Sequence, residues 1–268
     1  MRVDEHTIKL DESPVFYRRA TEAPGVPALY LHGVPTSSDD WIEFLARTGG
    51  IAPDLIGFGR SGKGGHLDYS VEGITRFVER FLAEVHVDEV KLVAHDWGVA
   101  VGLALAERHP ERVARLVLCN APPLVGGFEW PRLARIWRTF PIGEALMGST
   151  TRGMLARALR HGSVREDAWP DSRVAEVWDQ FDQGTQRAIL RLVRSAGEDS
   201  LGSGDAGGQP PPTLIIWGER DPWYPPALAD AYAAHLPGAR IERIPDAGHW
   251  PWLDREDVVE RIAAFLEE

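Results

Sequence analysis

The eleven residues Val90-Lys91-Leu92-Val93-Ala94-His95-Asp96-Trp97-Gly98-Val99-Ala100 constrain this chain more than any other stretch. The first half is an apolar, β-favouring run that reads as a buried strand. From Trp97 to about His109, small and aliphatic residues recur at helical spacing. The join falls at Asp96, with Gly98 two residues on. A strand that turns directly into a helix needs a tight bend, and a nearby glycine lets the helix pack close to the sheet. The residue at the bend is thrust into the cleft above the sheet. It also lies at the positive end of the following helix, where an anion is stabilised. Asp96 can be read there as a helix N-cap or as a carboxylate presented for chemistry.

The rest of the chain repeats this alternation. Residues 7–10 and 15–18 read as two short antiparallel strands split by Asp11-Glu12-Ser13-Pro14. Residues 28–31 form a buried strand that runs into the turn-rich loop His32-Gly33-Val34-Pro35-Thr36-Ser37-Ser38. Ser37 or Ser38 caps a helix at 39–48. Then come a strand at 51–53, an amphipathic helix at 71–85, the central strand and helix, and a strand at 115–120. Alternating strands and helices imply a parallel, doubly wound sheet, with sites at the carboxyl ends of its strands.

At Ala121-Pro122-Pro123 the pattern breaks. Up to about residue 209 there is no strand signal, and helices are expected at 130–140, 144–161, 171–184 and 185–196. Residues 202–212 read as a flexible linker that stiffens into Pro210-Pro211-Pro212. Residues 123–212 are therefore expected to be an inserted helical cap on a core of residues 1–122 and 213–268. The core resumes with a strand at 213–218, a helix at 226–235, a strand at 240–244 and a helix at 255–266.

Three titratable residues sit just past the ends of three expected strands: Asp96, Asp221 and His249. Their order, nucleophile, acid, histidine, resembles that of the α/β-hydrolase fold. The resemblance spans nearly the whole chain. Ala94-x-Asp96-x-Gly98 is similar to the family's nucleophile elbow, G-x-S-x-G, with aspartate in place of serine. His32-Gly33-Val34-Pro35 resembles its oxyanion-hole loop, and Asp54-Leu55-Ile56-Gly57-Phe58-Gly59-Arg60-Ser61 its D-x-x-G-x-G-x-S segment. Gly218-Glu219-Arg220-Asp221 and Gly248-His249 resemble its acid and histidine segments. The fold expected is α/β: a mostly parallel eight-stranded sheet, helices on both faces and an inserted helical cap.

A carboxylate is already ionised at pH 7 and needs no base before it attacks. It suits displacement of a leaving group from an sp³ carbon, giving an alkyl ester of Asp96. His249 would then activate water against that ester, with Asp221 orienting His249. Backbone N–H groups of Val34 and Trp97 would receive the oxyanion.

An aspartate at this position resembles two groups of the family, haloalkane dehalogenases and epoxide hydrolases. A departing halide needs N–H donors. The resemblance supplies Trp97 as one of them, and either an asparagine after His-Gly or a cap tryptophan as the second. The asparagine position holds Val34, so the cap tryptophans 130, 137, 169 and 178 remain, with Trp169 and Trp178 favoured. His32 is assigned to the same pocket, where it would hold the oxyanion loop. An opening epoxide leaves an alkoxide, which relatives protonate from cap tyrosines. None of the five tyrosines lies between Pro122 and Pro212, and Tyr224, near Asp221, is outside the family's position. Fluoroacetate dehalogenases carry an arginine near the nucleophile, which Trp97-Gly98-Val99-Ala100 lacks. The expected substrate is therefore small, neutral and apolar, with water as second reactant. A ligand binder without turnover is the non-enzymatic alternative.

Composition narrows the remainder. A net charge of −11 argues against nucleic acid or an anionic membrane as partner. The one cysteine, Cys119, lies in an apolar run and reads as a buried thiol. No apolar run approaches the roughly 18 residues of a membrane span, and the start lacks a signal-peptide core. The expectation is a cytoplasmic monomer or homodimer. The nine histidines show no metal-ligand spacing, so neither metal nor cofactor is expected. Gly57-x-Gly59-x-x-Gly62 matches a dinucleotide fingerprint by spacing but opens no clear helix, and reads as a structural loop.

Overall fold

The computed structural model describes residues 1–20, 25–197 and 210–268. It begins with an antiparallel hairpin of β1 (Val3–Leu10) and β2 (Ser13–Ala20) across Asp11 and Glu12. Both strands run longer than expected. Their ends pair polar residues, Asp4 with Arg19 and Glu5 with Arg18, and cross-strand charge pairs carry no apolar alternation. Next come β3 (Ala28–Leu31), a 3₁₀ turn at Ser38–Trp41, α1 (Ile42–Thr48) and β4 (Gly50–Pro53). Ser37 Oγ accepts the Asp39 N–H, so it caps the 3₁₀ turn rather than α1.

Helix α2 (Val71–Glu84) starts at Ser70, whose hydroxyl accepts the Gly73 N–H at 3.0 Å. It buries Ile74, Phe77, Val78 and Phe81, the one-face spacing of an amphipathic helix. The central unit is β5 (Val90–His95) and α3 (Trp97–Arg108), followed by β6 (Val113–Cys119).

Between β6 and the next strand the described residues make five helices: α4 (Arg132–Arg138), α5 (Ile142–Gly148), α6 (Arg152–His161), α7 (Asp171–Gln180) and α8 (Gln183–Ser195). The single helix expected over 144–161 is two. The Ser149 and Thr150 hydroxyls bond back to the Leu146 carbonyl and close α5. Thr151 then accepts the Met154 N–H and opens α6. The linker expected at 202–212 lies largely outside the described residues.

Strand β7 (Thr213–Gly218), α9 (Ala227–His235), β8 (Arg240–Ile244), α10 (Pro251–Asp254) and α11 (Asp257–Glu267) complete the chain. All eight strands form one sheet of order β1-β2-β4-β3-β5-β6-β7-β8. Strand β2 is antiparallel to β1 and β4, and the pairings from β4 through β3 to β8 are parallel. Every residue of β3, β4 and β7 is buried, so both faces of the sheet are covered. Asp96, Asn120 and Asp221 follow the carboxyl ends of the neighbouring parallel strands β5, β6 and β7. Among the described residues no helix is long and apolar enough to cross a membrane.

Candidate active site

Asp96 joins β5 to α3 at φ 48° and ψ −123°. That left-handed conformation costs a non-glycine residue about 1–2 kcal/mol, which the flanking strand and helix offset. Two glycines make the bend possible. A Cβ on Gly98 would strike the Leu31 carbonyl, and one on Gly33 would strike the Asp96 side chain. The Asp96 carboxylate makes no cap bond to its helix. Its oxygens differ in their partners. Oδ2 accepts the Val34 N–H at 2.9 Å, and Oδ1 accepts the Tyr224 hydroxyl at 2.8 Å. Burial raises the carboxyl above the usual range, against the opposing effects of His249, the Val34 N–H, Tyr224 and the Trp97 N–H.

His249 Nδ1 lies 2.7 Å from Asp221 Oδ2, and both side chains are buried. Burial pushes the imidazole down, but the Asp221 carboxylate prevails and raises it above its ordinary value. Asp221 is saturated with donors. Asn120 Nδ2 donates to Oδ2 at 2.7 Å, and the Trp223 and Tyr224 N–H groups donate to Oδ1 at 2.8 and 3.1 Å. Asn120, itself at φ 38°, also accepts the Gly218 N–H, which ties the ends of β6 and β7 together.

Other histidines support this arrangement from behind. His95 lies 2.8 Å from the His249 carbonyl through Nε2, which therefore carries the donated proton. Burial first, then nearby His249, holds it well below the usual imidazole value and neutral. His32 Nε2 accepts the Leu55 N–H at 2.9 Å, so its Nδ1 donates to the Gly33 carbonyl. The Asp54 segment is scaffolding. Asp54 accepts the Ser38 and Arg60 N–H groups, and Ser61 Oγ donates to the Asp54 carbonyl at 2.6 Å.

A cavity of about 200 Å³ opens above Asp96. Asp96, His249 and Tyr224 are its polar edge. Trp97, Trp130, Trp137, Trp223 and Trp250 border it, together with aliphatic side chains of α5, α6 and α8. Trp97 and Trp130 stack at 5.7 Å with an interplanar angle of 8°. Trp130 Nε1 is buried, with no hydrogen-bond partner among the described residues.

Three residues assigned to this pocket from the sequence do not border it. Trp169 donates its Nε1–H to Ser163 Oγ at 3.1 Å and packs edge-on against Trp250, which stands between it and the cavity. Trp178 packs on Phe181, one layer further out. His32 is sealed beneath the loop by its two hydrogen bonds. Val34 and Trp97 do border the cavity. Sequence reasoning missed Asn120, Trp223 and Trp250 as parts of the site, and placed Tyr224 only near it. Their signal was position, since each stands within three residues of Asp221 or His249 or at the end of a parallel strand.

Residues 27–256 match the alpha/beta hydrolase fold family. A haloalkane dehalogenase of Mycobacterium marinum is 32% identical over 255 residues, covering 86% of this chain and 77% of that protein. Epoxide hydrolase 1 of Caenorhabditis elegans is 27% identical and covers 99% of this chain and 70% of its own. Among solved structures, an epoxide hydrolase superposes with a TM-score of 0.86 at 20% identity, covering 99% of both chains. A haloalkane dehalogenase of Bradyrhizobium elkani superposes with a TM-score of 0.83 at 24% identity, covering 99% of this chain and 98% of that one. The chain belongs to the α/β-hydrolase superfamily, in its haloalkane dehalogenase and epoxide hydrolase branch. It is a hydrolase of that fold.

Proposed function

We propose that this hydrolase uses Asp96 as nucleophile to dehalogenate a small, neutral, apolar haloalkane. One observation carries the reading: a buried aspartate at a strained elbow faces an apolar cavity, with Oδ2 already bonded to Val34 and the His249–Asp221 pair beside it. Asp96 displaces halide from carbon and becomes an alkyl ester. The indoles of Trp97 and Trp130 receive the halide, which needs donors but no proton. His249 takes a proton from water, and the hydroxide adds to the ester carbon. Asp221 stabilises the resulting imidazolium. The Val34 and Trp97 N–H groups hold the oxyanion. Helices α4 to α8 act as a cap over the sheet and its flanking helices, excluding bulk water from the ester.

Tyr224 favours a second reading. A phenol on the nucleophile's own oxygen is a proton source for an opened epoxide, which leaves as alkoxide. The test is intact-protein mass spectrometry of His249→Gln, which alkylates but cannot hydrolyse. Incubation with 1,2-dibromoethane is expected to add the substrate mass less bromide. Labelling by styrene oxide alone would establish the epoxide reading, and labelling by neither would remove Asp96 alkylation.

A further inference from the structure

We infer that the Tyr224 hydroxyl is the acid that protonates the departing alcohol when the Asp96 ester is hydrolysed. The inference rests on alkylation of Asp96 and holds for halide and epoxide substrates alike.

The two oxygens of Asp96 are not equivalent. Oδ2 lies against the Val34 N–H, where negative charge is stabilised, and Oδ1 meets the Tyr224 hydroxyl. The attacking oxygen is therefore Oδ1, which becomes the alkoxy oxygen of the ester. Water then adds to Cγ, charge builds on Oδ2, and the Cγ–Oδ1 bond breaks. The alcohol leaves with the original Oδ1. An alkoxide is a far stronger base than a carboxylate, so this cleavage needs a proton at Oδ1 itself. Tyr224 is the group whose proton already lies there.

The protons balance. His249 takes one from water and the hydroxide bonds to Cγ. As Cγ–Oδ1 cleaves, Tyr224 gives its proton to Oδ1, leaving free alcohol, a tyrosinate and a neutral Asp96 carboxyl. That carboxyl returns its proton to Tyr224. His249 releases the proton it took from water to solvent.

Tyr224 is built for one position. Its N–H donates to Asp221 Oδ1 at 3.1 Å, and its carbonyl accepts the Trp217 Nε1–H at 3.3 Å. Its ring stands edge-on to His249 at 5.3 Å. Burial, then the nearby Asp96 charge, keeps its phenol well above the ordinary value, so it remains a donor throughout the working pH range.

The experiment is single-turnover kinetics of Tyr224→Phe with His249 intact, using 1,2-dibromoethane and following bromide release and adduct mass separately. Bromide release is expected to be as fast as in the wild type, because Oδ1 loses a donor that competes for its lone pair. Adduct hydrolysis is expected to slow about 100-fold, within the usual range for general acids, so the ester accumulates. Hydrolysis at the wild-type rate would overturn the inference, as would equal slowing of both steps. Should Tyr224→Phe fail to fold, 3-fluorotyrosine at 224 replaces it, and it must change the hydrolytic step alone. Absence of adduct in His249→Gln would instead remove the underlying reading, so the two failures are distinct.

Discussion

The backbone N–H of His249 donates to the carbonyl of Gly162 at 2.7 Å. Gly162 follows α6, so the helical insertion touches the histidine loop directly. Asp254 reinforces the contact. Its Oδ1 accepts the Val164 and Arg165 N–H groups and its Oδ2 accepts that of Gly248. Hydrogen bonds thus tie the segment after α6 to the His249 loop from both sides.

Gly162→Ala tests this coupling. A Cβ there would lie 2.5 Å from Trp250 and 2.7 Å from Trp223, the rings flanking His249. Overpacking of this kind costs about 1–3 kcal/mol. We expect a thermal midpoint lower by several degrees and at least a tenfold loss in turnover. Calorimetry and steady-state kinetics check both, and wild-type turnover would show that the loop tolerates displacement.

Asp96→Asn should abolish turnover, by about 10,000-fold or more, the scale seen when a catalytic-triad member is removed. It should also stabilise the fold at pH 7. A carboxyl whose folded pKa is raised binds its proton more tightly folded than unfolded. Stability is thereby lost as pH rises from about 4, the unfolded value, toward the higher folded one. The amide carries no such penalty. Unfolding in urea at pH 4 and pH 7 should show a gain only at the higher pH.

In the proposed mechanism, hydrolysis of the ester requires neutral His249, whose pKa is raised by Asp221 against the effect of burial. The hydrolytic rate should therefore rise with pH through a midpoint above about 6.5, the unperturbed histidine value. Asp221→Asn should move that midpoint downward while lowering the plateau. A profile unchanged by that substitution would break the link between the pair and the rate.

Burial pushes Asp40 up to about 6, with Arg173 of α7 opposing the shift. Its contribution to stability is present below about pH 4 and lost as pH climbs through 6. Asp40→Asn should be more stable than the wild type at pH 8 and no different at pH 4. Arg173→Ala leaves the charge buried with one donor fewer, and should cost about 2 kcal/mol at pH 8. Denaturant titration at both pH values measures each effect.

Trp130→Phe keeps the ring that stacks on Trp97 and removes the indole N–H. Bromide should inhibit it about tenfold more weakly, about 1.4 kcal/mol for one lost donor to an anion. Trp169→Phe should leave bromide inhibition unchanged, because its N–H is spent on Ser163. Product-inhibition kinetics separate the two.

The order of elements and the places of Asp96, Asp221 and His249 were legible in the chain. Strand ends and turn residues are local signals, and the sheet then brings those ends together. The five-helix insertion was legible as helical but not in its divisions. Whether Ser149-Thr150-Thr151 closes one helix and opens another depends on which carbonyls their hydroxyls reach. The pocket tryptophans were misjudged for a related reason. A tryptophan at helical spacing packs inward, but its spacing does not say whether cavity or core lies there.

Strand–bend–helix periodicity, the glycines at 33 and 98 and the acid at the bend are written in nearest neighbours along the chain, so they specify the scaffold and the position of Asp96. The partners of each Asp96 oxygen are not. Val34 lies 62 residues before Asp96 and Tyr224 lies 128 after it. They meet only because parallel strands align their carboxyl ends at one edge of the sheet. Contacts across such separations follow from packing of the whole chain: the His32-Gly33-Val34-Pro35 segment points to the Val34 N–H only through its resemblance to an oxyanion loop, and no local pattern aims the Tyr224 hydroxyl at Asp96.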